Sequence, residues 1–180
     1  MDSIINRYND IASIHKKIID SGEISLSVSV NDITTKDLLI SMASYFESSV
    51  LESIEKFYRS ITSSEDAFEF VSKFALKRNF YKLFDFKTSN ANCFFGFFGD
   101  GFKSYMKEII DNQPHLRQSI ADFMHICSTR NKLVHDNYST AYIEDTTEDL
   151  ISKFKSACLF SEKIEDHLKS FFCSKKESSN

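Results

Sequence analysis

Glycine and proline are scarce in this chain: four Gly and one Pro occur among 180 residues. A β-sandwich or barrel needs such residues at each of its many turns, so the sequence argues against both architectures. Hydrophobic residues make up 42% of the chain, a normal fraction for a protein that buries a core. Eighteen Phe and seven Tyr without Trp make that a core of large rings. The sequence therefore predicts one all-α domain with a Phe-rich core.

Apolar residues recur at helical spacing in five to six segments, which predicts a bundle of about that many helices. The predicted helices cover about residues 2–20, 35–61, 63–78, 101–111, 114–134 and 150–171. Residues 23–30 alternate serine with aliphatic residues, and this period of two predicts an extended linker or edge segment. Residues 79–101 are dense in Phe, Asn and Gly and predict an irregular segment that packs against the core.

These segments predict a simple domain organisation. Residues 1–31 are expected to form an N-terminal helix and an extended linker, and residues 32–172 the helical domain. Residues 173–180 are polar and predict a disordered tail. The chain shows no internal repeat and no second domain.

Arg130, Asn131 and His135 give the clearest chemical signal, in the segment Arg-Asn-Lys-Leu-Val-His at residues 130–135. On a helix, Asn131 and His135 are four residues apart and share a face. A neutral imidazole can take a proton from a ribose 2′-hydroxyl, and a guanidinium can hold the phosphate as negative charge develops. This combination suits phosphodiester chemistry that needs no metal or other cofactor. The competing interpretation is a helix C-terminus whose cations complement the helix dipole.

The motif resembles the Arg-x4–6-His signature of the HEPN superfamily. A Phe-rich stretch at residues 94–102, then Arg-Asn-x-x-x-His near the end of the penultimate helix, then a long last helix, is similar to the RiboL-PSP-HEPN branch. The similarity covers about residues 35–172. It implies an all-α bundle and a homodimer that cleaves RNA without a metal, using the Arg and His of both subunits.

The resemblance also implies a biological setting. Such domains occur in phage-defence and toxin–antitoxin modules, so an RNA substrate such as tRNA or a phage transcript is expected. An antitoxin or another defence-system protein is then an expected partner. Other members of the superfamily act as non-catalytic modules, so membership alone does not establish activity.

Glu47 is the next candidate for the site. It lies within a predicted helix beside the apolar stripe, and related domains often place an acidic or polar residue on an early helix facing the motif. A carboxylate there is expected to pair with Arg130 and to fix its guanidinium. The alternative is an exposed helix glutamate without a catalytic role.

Two segments are locally basic, residues 73–87 and residues 113–135. Arg78 and Lys82 in the first and Lys132 in the second are predicted to bind RNA phosphates, while neighbouring rings could stack on unpaired bases. The alternative for the first segment is a Phe core face beside a solvated lysine face.

Charge and processing signals narrow the class of protein further. The net charge of −4 means that only a local basic patch, and not the whole surface, can attract nucleic acid. The first residues lack the pattern of a signal peptide, and no apolar run is long enough to cross a membrane. The four widely spaced cysteines are expected to be reduced thiols. These features predict a soluble, cytoplasmic protein.

Two functions from different classes follow. The first is a homodimeric, metal-independent endoribonuclease that uses Arg130, His135, Asn131 and Glu47. The second is a non-catalytic helical adaptor that binds RNA or another protein.

Overall fold

The computed structural model describes residues 1–76, 79–136 and 138–177. Within these ranges the chain forms eight α-helices and one π-helix, and no strand. The all-α prediction is therefore confirmed, with more helices than the five to six expected. In chain order they are α1 (Asp2–Asp20), α2 (Ile24–Ile61), α3 (Glu65–Phe70), a π-helix (Val71–Leu76), α4 (Phe80–Leu83), α5 (Asn92–Gly96), α6 (Asp100–Asn112), α7 (Pro114–His135) and α8 (Thr147–Glu177).

Local sequence signals explain where several helices begin. Ser64 caps α3, because its side chain accepts a hydrogen bond from the backbone N–H of Ala67 at 3.3 Å. Pro114 occupies the start of α7, where its missing N–H costs nothing. Thr146 and Asp149 form a reciprocal cap before α8, since each side chain accepts from the backbone N–H of the other.

Helices α2, α7 and α8 pack against one another and form the centre of the bundle. The predicted Phe-rich core lies between them. The rings of Phe46, Phe123, Phe154 and Phe160 are fully buried, with the Phe46 and Phe123 centroids 5.2 Å apart. Helix α1 packs on α2, and α6 packs on α7 and α8. This arrangement fixes α7, which carries the motif, against the two longest helices.

Ser119 links α7 to α8 in an unusual way. Its buried hydroxyl donates to the carbonyl of Ser156 at 2.6 Å and accepts from the N–H of Phe160 at 2.9 Å. These two backbone groups are four residues apart, so a regular helix would join them to each other. The hydroxyl therefore reaches into the backbone of α8 and ties the two helices together at one point.

The prediction of an extended segment at residues 23–30 is wrong, because α2 begins at Ile24 and not near Thr35. A helix satisfies its own backbone hydrogen bonds, whereas a lone strand leaves them unpaired. The serines also fit the helix: Ser29 donates to the carbonyl of Ser25 at 3.2 Å, and Oγ of Ser27 lies 2.7 Å from Nε2 of His15. The domain therefore has no linker between α1 and the bundle.

Two other boundaries also differ from expectation. The segment 79–101, expected to be irregular, contains the short helices α4 and α5. Helix α8 continues to Glu177, so it extends into the predicted tail at residues 173–180. None of the described helices is long and apolar enough to span a membrane.

Candidate active site

Helix α7 positions the motif over its last two turns. The helix ends at His135, and the backbone N–H of Asp136 still donates to the carbonyl of Lys132 at 2.8 Å. Arg130 and Asn131 are half-buried, whereas His135 is exposed at the helix end. The motif thus lies on the penultimate α-helix of the described chain, as the sequence predicts.

Arg130 lies beside Tyr81 and Glu47, which come from two other helices. The guanidinium carbon of Arg130 lies 4.8 Å from the centroid of the Tyr81 ring, a distance typical of a cation–π contact. The hydroxyl of Tyr81 donates to Oε2 of Glu47 at 3.2 Å. Glu47 of α2 and Tyr81 of α4 therefore form one wall of the site, and Arg130 of α7 lies against it.

The electrostatics of this cluster reflect its partial burial. Burial raises the pKa of Tyr81 to about 12, and the nearby charge of Glu47 adds to that effect while Arg130 opposes it. Burial also raises the pKa of the Cys127 thiol, which lies one turn before Arg130 on α7. Both groups are therefore neutral at physiological pH.

Arg130 keeps unused hydrogen-bond donors. One of its terminal nitrogens donates to Oδ1 of Asn131 at 3.4 Å. Its Nε is buried and has no hydrogen-bond partner among the described residues. Burying a donor without a partner costs free energy, so the group is suited to an acceptor supplied by a ligand.

The expected ion pair between Glu47 and Arg130 is not formed within the described part of the chain. Both side chains instead contact Tyr81, on the hydroxyl and the ring face respectively. Glu47 thus lies near Arg130, as expected, but the contact runs through Tyr81, which the sequence analysis did not single out. In the sequence, Tyr81 is one of several aromatic residues in the basic segment 73–87. No feature of the sequence distinguishes it from the other rings as a partner for Arg130.

Arg130 and His135 point away from each other on α7. Five residues of α-helix separate them by about 140° around the axis and about 7.5 Å along it. No hydrogen bond joins the two side chains in the described structure. Asn131 lies between them, four residues before His135 and on its side of the helix. One copy of the chain therefore presents a single exposed imidazole and not a closed Arg–His pair.

The predicted RNA-binding residues do not converge on one place. Lys132 is exposed and lines cavities along α7. Lys82 lines a separate cavity of about 470 Å³ that is walled mostly by apolar side chains, including Tyr58 and Phe98. Arg78 lies outside the described residues.

Lys36 is a buried lysine close to the motif that the sequence analysis did not single out. Its ammonium forms an ion pair with Asp32 at 2.8 Å and lies 5.4 Å from the ring centroid of Tyr138, three residues beyond the motif. Only 2% of Lys36 is exposed. The i,i+4 spacing of Asp32 and Lys36 could have indicated this ion pair. It does so only if both residues lie on one helix, and the predicted helix began at about residue 35.

The described residues contain no group of three or more His, Cys, Asp or Glu side chains arranged to hold a metal ion. Within the motif, the side chain able to transfer protons is the His135 imidazole, and the side chain able to contact a phosphate is the Arg130 guanidinium.

Comparison with known families agrees with this fold and motif. An all-α bundle with an Arg–His motif on the penultimate helix is typical of HEPN-type domains. A model of the RiboL-PSP-HEPN family matches residues 2–170, so the chain belongs to that family. The match also includes α1, which the sequence-based domain boundaries had left outside. No curated protein and no solved structure gave a significant match. Membership of the family supports a nuclease-type, RNA-related function.

Proposed function

We propose that the protein is a metal-independent endoribonuclease that acts as a homodimer. The observation that carries this proposal is the state of Arg130: its guanidinium lies against Tyr81, and its buried Nε has no partner among the described residues. A planar guanidinium with free donors is suited to grip two oxygens of a phosphate. The exposed His135 lies on the same helix and is free to transfer protons.

The proposed reaction breaks one P–O bond and forms another. One His135 takes the proton of the ribose 2′-hydroxyl, whose oxygen attacks the adjacent phosphorus. Arg130 stabilises the charge that develops on the phosphate oxygens. The bond to the 5′-oxygen then breaks, and a protonated imidazole supplies the proton to that oxygen. The products are a 2′,3′-cyclic phosphate and a free 5′-hydroxyl.

A homodimer follows from the number of groups this reaction needs. The step requires one base and one acid, but the motif of each chain contains a single histidine. A two-fold axis beside the motif brings a second His135 to the same phosphate. In this arrangement Asn131 orients the imidazole or the substrate, and Glu47 positions Arg130 through Tyr81.

The biological role that we propose is phage defence or a toxin–antitoxin module, in the cytoplasm. This part rests on the family, whose members include such proteins. An RNA such as tRNA or a phage transcript is the proposed substrate, and an antitoxin or other defence-system protein is the proposed partner.

A non-catalytic adaptor is the second candidate, and one observation favours it. Large aliphatic side chains are exposed on α1 and at the start of α2, among them Ile24 at 61% and Val28 at 66%. Exposed apolar residues that cluster on one hairpin are typical of protein–protein contacts. An adaptor would use this hairpin and would not need His135.

Substitution at the motif tests the proposal. We expect His135→Ala to abolish RNA cleavage, and Arg130→Lys to lower kcat by about 100-fold, because lysine keeps the charge but loses the planar fork. Cleavage should survive EDTA and should fail on RNA with a single 2′-deoxyribose at the scissile position. Gel assays of labelled RNA give both rates.

His115→Ala and Arg117→Lys are matched controls, because both residues are exposed on the same helix and lie outside the motif. Both should cleave like the wild type. If EDTA abolishes cleavage and magnesium restores it, the mechanism is wrong. If Arg130→Lys no longer folds while His135→Ala folds and cleaves RNA like the wild type, the motif is a structural helix end and the adaptor is the better interpretation.

A further inference from the structure

A groove runs along α7 on the side away from Arg130. It has a volume of about 440 Å³, and we call it the α7 groove. Its lining includes Lys87 and Thr88 from the segment before α5, His125, Thr129 and Lys132 from α7, and Lys153 from α8. Three lysines and a histidine from three parts of the chain thus surround one cavity.

Two of these side chains are held in place by a carboxylate. Oδ2 of Asp145 lies 2.5 Å from Nε2 of His125, and its other oxygen accepts from the ammonium of Lys153. The Asp145 side chain is only 11% exposed. His125 and Lys153 are therefore restricted on the groove wall before a ligand binds. Binding then costs little additional side-chain entropy at these two residues.

Lys87 and Lys132 are not neutralised in this way. Neither ammonium forms an ion pair with a carboxylate of the described residues, and both are exposed. Asp122 also lines the groove, but it is buried and its Oδ1 accepts a hydrogen bond from Gln118 at 2.9 Å. The accessible charge of the groove is therefore positive on a chain whose net charge is −4.

The groove continues toward the motif. A smaller cavity of about 210 Å³ shares His125, Thr129 and Lys132 with it and extends to Asp136, the residue after His135; Glu144 and Asp145 also line it, so the positive charge is confined to the α7 groove. Lys132 precedes His135 by three residues, or about 4.5 Å of helix rise. The Lys132 end of the groove therefore lies within one helical turn of the exposed His135.

We propose that the α7 groove binds the phosphate backbone of a single-stranded RNA segment that flanks the scissile phosphate. This inference rests on the proposed function and names a binding path for its substrate. Unpaired lysines beside hydroxyl groups suit phosphate oxygens, and a positive groove that follows the backbone is how proteins bind single strands without reading sequence. Lys87 and Lys132 contact successive phosphates, while Lys153 remains paired with Asp145.

Salt-dependent binding tests the groove. A fluorescently labelled single-stranded RNA is titrated with His135→Ala protein, which cannot cleave it, and with the same protein carrying Lys87→Gln and Lys132→Gln. Removing two phosphate contacts should reduce the slope of log K against log salt by about 1.4, since each contact on a single strand contributes about 0.7. Lys103→Gln with Lys107→Gln is the matched control, because these two exposed lysines lie on α6 and carry the same charge.

Each outcome has a defined meaning. A smaller slope for the groove variant but not for the α6 variant supports the groove. Equal slopes in the two double variants overturn it, and so does competition by polyglutamate as strong as that by unlabelled RNA. Cleavage by the wild type is measured separately: no cleavage with a changed slope overturns the nuclease alone, whereas cleavage with an unchanged slope overturns the groove alone.

Discussion

Tyr81 connects the two charged residues of the candidate site. The face of its ring contacts the Arg130 guanidinium, and its hydroxyl donates a hydrogen bond to Glu47. One side chain therefore contacts both charged residues. Arginine has several rotatable bonds, and restricting them before a ligand arrives reduces the entropy lost on binding. Tyr81 is therefore a positioning residue that acts through Arg130.

Substitution of Tyr81 separates the ring from the hydroxyl. Tyr81→Phe keeps the ring and should lower the free energy of unfolding by about 1 kcal/mol, the usual net value of one hydrogen bond. Tyr81→Leu also removes the cation–π contact, worth about 1 to 2 kcal/mol in a partly desolvated site. We expect kcat for RNA cleavage to fall about tenfold or more in Tyr81→Leu and to recover largely in Tyr81→Phe.

Urea unfolding and single-turnover cleavage give the two quantities. Tyr142→Leu is the control, because Tyr142 is 84% exposed, and it should match the wild type in both. A Tyr81→Leu protein with wild-type kcat would show that Arg130 needs no support from the ring.

At the scale of elements, the long periodic helices were predictable and the local exceptions were not. Helix α7 follows from Pro114 and a regular apolar stripe, and the Thr146–Asp149 cap follows from residue types three positions apart. The segment at residues 23–30 carries the period of a strand, but the absence of a partner strand decides its structure, and that is a property of the whole chain. Pattern alone therefore gave the wrong element.

The site shows the same division. The motif residues share one segment of chain, so their spacing revealed them. Tyr81 and Glu47 lie near Arg130 only because α2, α4 and α7 pack together. The spacing of residues along the sequence does not predict this contact. The pairing of Asp145 with His125 and Lys153 was missed for the same reason, because it joins α7, a loop and α8.

Asp145 makes the joint between α7 and α8 sensitive to acid. Burial alone raises its pKa, but hydrogen bonds from His125 and Lys153 and the charges of these residues outweigh burial and hold the pKa below its usual value. A lowered folded-state pKa stabilises the fold above the unfolded value of about 3.9. That contribution is lost as the pH falls through the folded value.

Asp145→Asn should therefore lower the free energy of unfolding by about 2 kcal/mol at neutral pH, the range for hydrogen bonds to a charged group. The difference from wild type should shrink below about pH 4, as the Asp145 carboxylate is protonated. Thermal unfolding followed by circular dichroism across this range measures it. Asp10→Asn, an exposed residue on α1, should show no such difference at any pH. If the difference in unfolding free energy persists at pH 2, the charge of the Asp145 carboxylate is not the cause of the stabilisation.

At the scale of the whole molecule, the proposed chemistry requires two copies of the chain. Light scattering should give a mass twice the 20.8 kDa of one chain. A tenfold excess of His135→Ala should then reduce wild-type cleavage to about one tenth, the share of wild-type chains still paired with each other after random exchange. This holds because a mixed dimer has one imidazole where the reaction needs two.

An equal excess of Arg117→Lys, which keeps the motif intact, should not inhibit. A monomeric mass would rule out the shared site, and so would full activity in the presence of excess His135→Ala. A dimer that forms through the exposed aliphatic residues of α1 and α2 and keeps the two motifs apart would give the correct mass without the inhibition.

The hydroxyl of Ser119 has a mechanical consequence for the motif. Because it hydrogen-bonds to the backbone of α8 at Ser156 and Phe160, α7 cannot slide or rotate against α8 without breaking these two hydrogen bonds. A displacement of α8 is therefore expected to move α7 as well, and His135 is the last residue of α7. A protein that binds the exposed face of α8 and displaces this helix would therefore also displace the His135 imidazole, without contacting the candidate active site.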